Sequence, residues 1–583
     1  MLWLIFCNFV HDLHIHITHK NQSNMIKFMN DHVGKVFCVA ISVGLVGCID
    51  ENYDLSDIDT TVQIDVKDLV IPLNMSEMRL NSIIDLDDDG VLKEINGEYV
   101  IIQEGDFHSD EIKINSIEID SPDGSLQSKS VTLAAGQAVK NPRYAHDFSY
   151  HTEGVDDYLD QIESAEVVWR IGMPLQTSST DVVFRNPVYK IPEGLKGYPS
   201  VGVYDETTST VTVTGDFHIL DFSFNVTEID CTANPDFKFD KEDHSIEFPG
   251  YVALVGGEIV NIGTETITGA TVSVDFQFDV MTVKTITGYV HYQTDNLTSE
   301  RIVLEDIPDY LSQPGTSLIM DNPQIYITAS NPLAGYGVTA STGIVISQYR
   351  ADDNGDLDSI SGIEMPEPLR IGAVEGAQSF CLSPDDPGSQ GYDKFPDAVW
   401  HSYPGLGRIV YGDGLPQELG IYFQNPGMDH CHVTKFEVGK NLGELKGTYT
   451  LYAPLAMEAG SQVRYSGRET GWGLENDLTV TTLQLTASVS STLPVNVHVE
   501  AWPLDMNGER ISNVEIKGAD VAAGTSTDLN ITITGEIAGL DGIEYVAKVI
   551  SGDNTAGITL KPSQGLDFSG IRIKVSGHYR TEI

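Results

Sequence analysis

Positive charge is scarce in this sequence, whose 583 residues include 34 Lys and Arg against 85 Asp and Glu, a formal net charge of −51. A surface with this acidic excess repels phosphate backbones, so nucleic acid is excluded as an expected partner. Cysteine is also scarce, with six residues, and the fold cannot depend on a disulfide framework. Beyond residue 48 the sequence has no run of 18 apolar residues, so we expect no membrane-spanning helix there.

The motifs of common catalytic sites are missing as well. The chain has no Gly-x-Ser-x-Gly, no His-Glu-x-x-His and no glycine-rich phosphate loop, which mark serine hydrolases, zinc proteases and nucleotide enzymes. We therefore expect a protein without enzymatic activity and without a cofactor, calcium being the one exception considered below. A glycan hydrolase stays an alternative, because two carboxylates that face one cleft need not leave a sequence motif.

The chain does have enough apolar material to fold. Hydrophobic residues make up 41% of it, which is too much for a disordered acidic segment. At about 150 residues per domain, the length predicts three or four domains.

The first 48 residues carry a targeting pattern. Lys27 and Lys35 precede an uncharged, mostly apolar run of twelve residues, 36–47. This run is too short to span a bilayer but suits a secretory signal. The small residue Gly47 then precedes Cys48. We expect residues 1–47 to be a signal peptide, with 1–24 arising from a mis-assigned start.

The sequence Leu45-Val-Gly-Cys48 resembles a bacterial lipobox. The resemblance implies that Cys48 is acylated, with palmitate among its chains, and that these chains anchor the protein in a membrane. The acidic pair Asp50 and Glu51 resembles the surface-export signal of Bacteroidota lipoproteins. With residues 53–61, these motifs make the chain similar to uncharacterised cell-surface lipoproteins of that phylum. This implies a lipid-anchored, surface-exposed location on the outer membrane and no established activity.

Hydrophobic and polar residues alternate along much of the chain. The period of two is clearest in the segments 210–214, 220–226, 272–280, 495–502 and 571–576. Such alternation predicts strands with one buried and one solvated face. We therefore predict an all-β fold with minor α content, built from tandem antiparallel β-sandwiches of immunoglobulin-like modules.

Local signals refine this prediction. Asn96-Gly97 predicts a two-residue hairpin turn, because both residues tolerate positive φ. Residues 156–165 have the best helical period, and 306–311 fit one short helical turn. Asn-Pro occurs six times. Since Pro favours extended geometry in the residue before it, we interpret Asn-Pro as a feature of strand starts and edges.

Composition shifts divide the chain into predicted segments. They are a signal peptide (1–47), an N-terminal mixed module (48–165), a central β-sandwich region (166–347), a turn-rich linker or excursion (348–395), a β module with an aromatic loop (396–475) and a C-terminal β-sandwich (476–583).

Two acidic segments resemble calcium loops, in which oxygen ligands stand at alternate positions. The first contains Asp85, Asp87 and Asp89, and the second contains Asp352, Asn354, Asp356 and Asp358. Neither completes the loop: the first has Asn96 where a bidentate Glu is needed, and the glycine of the second stands two places early. The alternative is an acidic turn between two strands.

Residues 429–432, Asp-His-Cys-His, bring together three types of metal ligand. On a strand, however, His430 and His432 point to one side and Cys431 points to the other. We therefore weigh a zinc site against a buried cysteine flanked by two exposed histidines, and the latter is favoured.

The stretch 392–411 is rich in aromatic residues. Aromatic rings stack on sugar faces while charged groups bind hydroxyls, so a glycan-binding site is one interpretation. Its residues would be Tyr392, Asp397, Trp400, Tyr403 and Arg408. The alternative is a loop pinned to a sheet by aromatic anchors.

These observations favour a lipid-anchored surface protein with a non-enzymatic binding role, whose partner is a glycan or another envelope protein. The alternatives are a structural or assembly component of the envelope and a glycan hydrolase on a β scaffold.

Overall fold

The computed structural model describes residues 61–72, 77–82, 86, 90–234, 236–293, 295, 297–298, 301–304, 314–351, 355–472 and 478–582. This part of the chain is nearly all strand and holds no α-helix. Its helical segments are short 3-10 turns at Leu80–Ser82, Ala334–Tyr336, Gly388–Gln390 and Pro404–Arg408. The prediction of an all-β fold of antiparallel sheets is confirmed.

The strands up to residue 230 are β1 (Thr61–Pro72), β2 (Glu77–Arg79), β3 (Leu92–Ile95), β4 (Glu98–Lys113), β5 (Glu118–Ile119), β6 (Ser125–Leu133), β7 (Ala138–Lys140), β8 (Tyr144–Thr152), β9 (Leu159–Gly172), β10 (Leu175–Thr177), β11 (Val182–Lys190), β12 (Leu195–Pro199), β13 (Val203–Asp205), β14 (Thr210–Thr212), β15 (Asp216–Phe217), β16 (Ile219–Leu220) and β17 (Ser223–Asp230).

Those that follow are β18 (Lys238–Asp240), β19 (Ser245–Asn261), β20 (Ile267–Phe278), β21 (Met281–Gln293), β22 (Leu297–Thr298), β23 (Ile302–Val303), β24 (Gln324–Ser330), β25 (Ala340–Ala351), β26 (Leu357–Glu364), β27 (Leu369–Ile371), β28 (Ala377–Ser383), β29 (Val399–Ser402), β30 (Glu418–Glu437), β31 (Asn441–Pro454), β32 (Gln462–Thr470), β33 (Leu478–Ser491), β34 (Asn496–Leu504), β35 (Val514–Lys517), β36 (Ala519–Val521), β37 (Ser526–Ala538), β38 (Gly542–Ile550) and β39 (Gly565–Glu582).

Sandwich A joins the two ends of the described chain. One sheet has the order β1-β39-β33-β37-β35, with β2 beside β39, and the other has the order β32-β38-β34-β36. The first and last strands pair along most of their length, from Thr61 opposite Glu582 to Pro72 opposite Arg572. The core between the sheets contains Val480 and Ile533 from one side and Val497 from the other.

Sandwich B places the sheet β29-β28-β24-β31-β4-β3 against part of a large sheet that contains β25, β26 and the first half of β30. Phe107 of β4 stacks on Phe423 of β30 with ring centroids 4.2 Å apart. Ile344, Leu419 and other apolar residues of the large sheet complete this core.

Sandwich C uses the rest of the large sheet, in which β10, β20, β9, β21 and the second half of β30 are neighbours. It faces a sheet with the order β13-β14-β11-β19-β18. Trp169 of β9 packs edge-on against Phe248 of β19 at 5.8 Å between ring centroids. The shared large sheet, in which β30 continues from one core to the next, connects sandwiches B and C.

Strand β4 contributes to the three cores found among the described residues. Tyr99 belongs to the core of sandwich A, Phe107 to that of sandwich B and Ile112 to that of sandwich C. A strand of 16 residues spans about 50 Å, which is enough to cross from the first core to the third. The predicted borders at 165, 347, 395 and 475 stay predictions, while the sheets join strands from several of the predicted segments.

The helix predicted at 156–165 is wrong, because β9 begins at Leu159 and runs to Gly172. Leu159, Ile162 and Ala165 are buried at intervals of three, which imitates a helical period. The cause is a pair of β-bulges that insert extra residues into the strand. The short turn predicted at 306–311 lies outside the described residues.

The Asn-Pro sequences differ from the prediction in the geometry of the asparagine. Four of the six asparagines have positive φ, namely Asn141 (49°), Asn186 (46°), Asn322 (40°) and Asn425 (47°), so the prediction of extended geometry is wrong for them. Asn tolerates this left-handed conformation better than most residues. At Asn186 and Asn425 the register of the ladder shifts, and Pro, which has no N–H donor, fits the interrupted ladder.

Candidate functional site

One of the residues predicted to bind a glycan lies inside the protein. Tyr403 is fully buried in the core of sandwich B, and its hydroxyl donates to the carbonyl of Ile363, so its ring is not available to a sugar. Trp400 is 39% exposed and donates from Nε1 to Ser383 Oγ at 3.0 Å. Asp397 is exposed, and the guanidinium of Arg408 lies over the ring of Tyr411 at 4.9 Å.

The remaining aromatic residue of that set, Tyr392, holds its loop on a sheet. Its ring stacks on Tyr452 at 4.5 Å between centroids, and its backbone N–H donates to the hydroxyl of Tyr326 at 2.7 Å. Phe395 stacks on Tyr326 at 4.7 Å. These contacts favour the alternative interpretation, a loop pinned to a sheet by aromatic anchors.

Most of the predicted calcium ligands lie outside the described residues. This applies to Asp85, Asp87, Asp89, Asp352 and Asn354, as it does to the lipidation site Cys48.

The two calcium ligands that are described lie at the start of β26. Asp356 precedes that strand, and Asp358 lies within it and pairs with Arg350 of β25. Within the described ranges, no group of three His, Cys, Asp or Glu residues is placed to hold a metal ion. Calcium binding stays a prediction.

A more organised polar group lies on the outer face of sandwich C, where β9, β21 and β30 are adjacent. The register of β9 against β21 skips two residues, Asp160 and Glu163, which are the extra residues of the two bulges. Bulges redirect the side chains they carry. Here they direct two carboxylates across β21 towards the histidines of β30.

The alternation predicted for residues 430–432 is present in this group. His430 stacks on Tyr289 of β21 with ring centroids 4.6 Å apart, and His432 meets the same ring edge-on at 5.1 Å. Cys431 points the other way and packs against the core of sandwich C. The interpretation as a buried cysteine between two exposed histidines agrees with the positions of the histidines, whereas Cys431 is only partly buried.

Asp160 is the centre of the group. Its side chain is 6% exposed and accepts hydrogen bonds from Nδ1 of His430 at 2.7 Å and Nδ1 of His291 at 3.0 Å. Lys241 forms an ion pair with it. Burial raises the pKa of Asp160, but the hydrogen bonds from Lys241 and His430, with the nearby His291, outweigh burial and hold it below its usual value.

Two parallel pairs continue this arrangement along β9. Glu163 accepts from Nε2 of His432 at 3.0 Å. Glu166 contacts Lys435 at 2.7 Å and accepts from Thr285 at 3.1 Å, and the Lys435 hydrogen bond is the main reason that the pKa of Glu166 is lowered. Each of these carboxylates therefore already has a partner on a neighbouring strand or turn.

An open cleft adjoins this face at the end of β21, near the bulge at Asn425. It has a volume of about 420 Å³, and its lining is polar. The described residues that line it are Asp157, Tyr158, His291, Tyr292, Gln293, Asp295 and Asn425. His291 thus belongs both to the cleft and to the hydrogen-bonded group around Asp160.

Several carboxylates act on the phenol of Tyr292, and two of them line the cleft. Burial raises the pKa of Tyr292, and four aspartates add to the effect because a negative charge opposes ionisation of the phenol. These are Asp157, Asp110, Asp156 and Asp295. Tyr158, in the cleft wall, is 4% exposed, and its hydroxyl has no hydrogen-bond partner among the described residues.

The sequence analysis missed this cleft. Its carboxylates at 156 and 157 were assigned to a helix, and His291 and Tyr292 are single residues in an ordinary strand pattern. The signal that identifies Tyr292 is spatial, because residues from 110, 156–157, 295 and 425 converge on it only after the sheet forms.

Comparisons with known proteins add little to this picture. No family model matches the chain, and no curated protein matches it. A solved structure from Parabacteroides distasonis, described as a secreted protein, is 14% identical, with a TM-score of 0.33 over 50% of this chain and 89% of that one.

Two archaeal virus structures are also similar. One is from Sulfolobus turreted icosahedral virus (11% identity, TM-score 0.11, 79% of this chain and 91% of that one). The other, from an archaeal virus, is described as having a triple jelly roll fold and a turret assembly. It is 12% identical, with a TM-score of 0.11 over 80% of this chain and 91% of that one. With all TM-scores under 0.5, function is argued from the residues of the chain itself.

The structure also bears on membrane insertion by helices. In the part of the chain that it describes, no helical segment has the length and hydropathy of a membrane span.

Proposed function

We propose that this protein is anchored to the outer membrane surface through lipid on Cys48 and binds a glycan, without transforming it, in the cleft beside Tyr292. The observation that carries the proposal is the cleft itself, an open concavity of about 420 Å³ with a polar lining. Ligand sites combine a concave shape with a few polar groups that fix the orientation of the ligand.

The lining supplies the groups that sugar hydroxyls need. Asp157 and Asp295 accept hydrogen bonds, whereas the amides of Gln293 and Asn425 both donate and accept. Tyr292 is half-buried and offers a ring on which an apolar sugar face can stack. These side chains come from two strands, from the turn at Asp157 and from the segment after β21, so one sugar in the cleft would contact several of them.

The position of the cleft suits a surface receptor. The first described strand, β1, belongs to sandwich A, and the lipid anchor on Cys48 would attach 13 residues before Thr61. The cleft lies on β21 and β30 in the sheet that connects sandwiches B and C. A ligand there would be bound by sandwiches other than the one that follows the anchor.

A glycan array with the full chain, purified in detergent, tests this proposal. We expect retention of a subset of glycans by the wild-type protein and its loss in Tyr292→Ala. Trp400→Ala is the matched control, since it removes a partly exposed aromatic ring from the loop that the sequence analysis considered as a glycan site. Loss of retention in Trp400→Ala but not in Tyr292→Ala would contradict the proposal.

A further inference from the structure

The outer face of one sheet of sandwich A, the sheet β1-β39-β33-β37-β35, carries a row of basic residues. Strand β39 places Ile571 and Val575 in the core of the sandwich, so the residues that alternate with them point outwards. The outward residues form the basic row, which consists of Arg572, Lys574, His578 and Arg580, with Ser576 in its middle. It extends over about 27 Å at the usual rise of a strand.

The basic row contrasts with the acidic composition of the chain. Residues 568–581 include three Lys or Arg and no Asp or Glu, in a chain with a net charge of −51. Within the described ranges, none of the four basic side chains has an ion-pair partner. Arg79 on the neighbouring strand β2 differs in this respect, because it pairs with Asp567 at 3.1 Å.

The neighbouring strands do not neutralise the basic row. On β33, the residues that pair with it are uncharged, namely Thr479, Thr482, Gln484 and Thr486. On β1, the residues opposite Arg580 and His578 are Gln63 and Asp65. The paired residues of these two strands that face the two arginines, the lysine and the histidine therefore contribute one carboxylate, that of Asp65. Charges farther away than about 10 Å are largely screened at 0.1 M salt, so the field close to this face is positive.

The basic row also lies near the point from which the chain leads to the proposed anchor. Thr61, the first described residue, pairs with Glu582, and Arg580 is the basic residue closest to that end of the strand pair. Cys48 is 13 residues before Thr61, and a segment of that length extends no farther than about 45 Å. A lipid on Cys48 would therefore hold the basic row within reach of the membrane headgroups.

We infer that the basic row lies against the anionic headgroups of the membrane to which the chain is attached, given the lipid anchor of the proposed function, on which this inference rests. Arginine and lysine form charge-assisted hydrogen bonds with phosphate oxygens, and each basic residue near an anionic surface adds to the attraction. The lipid thus tethers the chain, while the basic row fixes the orientation of sandwich A on the membrane.

Amine labelling of the membrane-bound protein tests the inference. The lipidated full chain is reconstituted in vesicles of phosphatidylcholine alone or of an equal mixture with phosphatidylglycerol. A soluble amine-reactive ester then labels the lysines, and mass spectrometry measures the extent at each residue. We expect labelling of Lys574 to be at least about threefold lower in the anionic vesicles and to recover at high salt, which screens the attraction.

A second lysine of the same sandwich is the internal control. Lys548 is half-buried, as Lys574 is, but it lies on β38 in the opposite sheet, between the core residues Ala547 and Val549. Its labelling should be the same in both kinds of vesicle, because the opposite sheet faces away from the membrane.

Charge variants locate the contact. Arg572→Gln combined with Arg580→Gln removes two charges from the basic row and keeps Lys574 as the reporter. Labelling of Lys574 in anionic vesicles should then rise to about the level in neutral vesicles, because the attraction depends on the number of basic residues. Lys284→Gln combined with Arg370→Gln is the matched control, since it removes two exposed cations from other sandwiches and should leave the protection of Lys574 unchanged.

Two results would overturn the inference. One is equal labelling of Lys574 in both kinds of vesicle; if it were equally low, the acidic segment 50–59 of the chain itself would cover the basic row in place of lipid. The other is protection in anionic vesicles that survives the double substitution of Arg572 and Arg580. Neither result bears on the anchor or on glycan binding, which palmitate labelling of Cys48→Ala and the glycan array test separately.

Discussion

The imidazoles of His291 and His430 donate to the same carboxylate, that of Asp160, from adjacent strands at 3.0 and 2.7 Å. Asp160 occupies a β-bulge in a third strand, and Lys241 reaches it from the turn between β18 and β19. One side chain therefore joins both sheets of sandwich C at the edge of the cleft. The bulge makes this contact available, because the regular register would point residue 160 elsewhere.

Replacement of this carboxylate tests its structural importance. Asp160→Asn removes the charge and places an amide opposite three donors, and a buried donor left without an acceptor costs about 1–3 kcal/mol. We expect a loss of that size in the free energy of unfolding, measured by urea denaturation. Glu163→Gln is the control, because the side chain of Glu163 is 34% exposed whereas that of Asp160 is 6% exposed. A loss for Glu163→Gln as large as that for Asp160→Asn would contradict the central position of Asp160.

The pair of His498 and Asp520 in sandwich A predicts a dependence on pH. Nδ1 of His498 lies 2.6 Å from Asp520 Oδ1, and this hydrogen bond is the main cause of the raised pKa of His498, with burial opposing it and Glu500 assisting. Because the pKa of His498 is raised in the folded state, the charged histidine stabilises the fold. This stabilisation is fully present below the unfolded pKa of about 6.5 and is lost as the pH rises through the folded-state pKa.

His498→Gln should therefore lower the Tm more at about pH 5.5 than at about pH 9. The measurement is thermal unfolding of wild type and variant at both values. Asp520→Asn should remove most of the difference between the Tm losses that His498→Gln causes at the two pH values. A greater loss of Tm for His498→Gln at the alkaline value would show that the sign is wrong.

The left-handed Asn186 predicts an unusual order of substitutions. Its φ is 46°, and its Oδ1 accepts from the N–H of Gly215 at 2.9 Å. Asn186→Ala should reduce the free energy of unfolding by about 1–2 kcal/mol, because alanine tolerates this conformation less well than asparagine and cannot accept the hydrogen bond from Gly215. Asn186→Gly should lose less, since glycine adopts positive φ freely. If denaturation showed Asn186→Gly to be less stable than Asn186→Ala, the left-handed conformation at this bulge would not be the reason for Asn-Pro.

Anchoring through Cys48 predicts a change of cellular fraction. Cys48→Ala removes the thiol that would be acylated, and we expect the protein to lose radiolabelled palmitate and leave the envelope fraction. Labelling and fractionation measure both effects together. A Cys431→Ala variant is the matched control, and an alanine variant at 48 that stays with the envelope would contradict the lipid anchor.

Local patterns predicted the strands well. In β20 the residues Val272, Val274 and Phe276 are buried, as the alternation indicates. The hairpin at Asn96-Gly97 is confirmed, with Ile95 opposite Glu98 and φ values of 54° and 80° at the two turn residues. These features depend on neighbouring residues and on backbone preferences, which a sequence displays directly.

The candidate site could not be predicted in the same way. The bulges of β9 imitate a helical period, and they place Asp160 beside partners 131 and 270 residues away in sequence. The aromatic stretch is the opposite case. Its residues are close in sequence, but Tyr403 fills a core while Tyr392 anchors a loop.

A crystal structure of the full chain with a retained glycan would test the central claim most directly. The account predicts ligand density in the cleft, in contact with Tyr292 and within hydrogen-bond distance of Asp295 and Asn425. Density beside Trp400, or on the paired face around Asp160 with the cleft left empty, would contradict it.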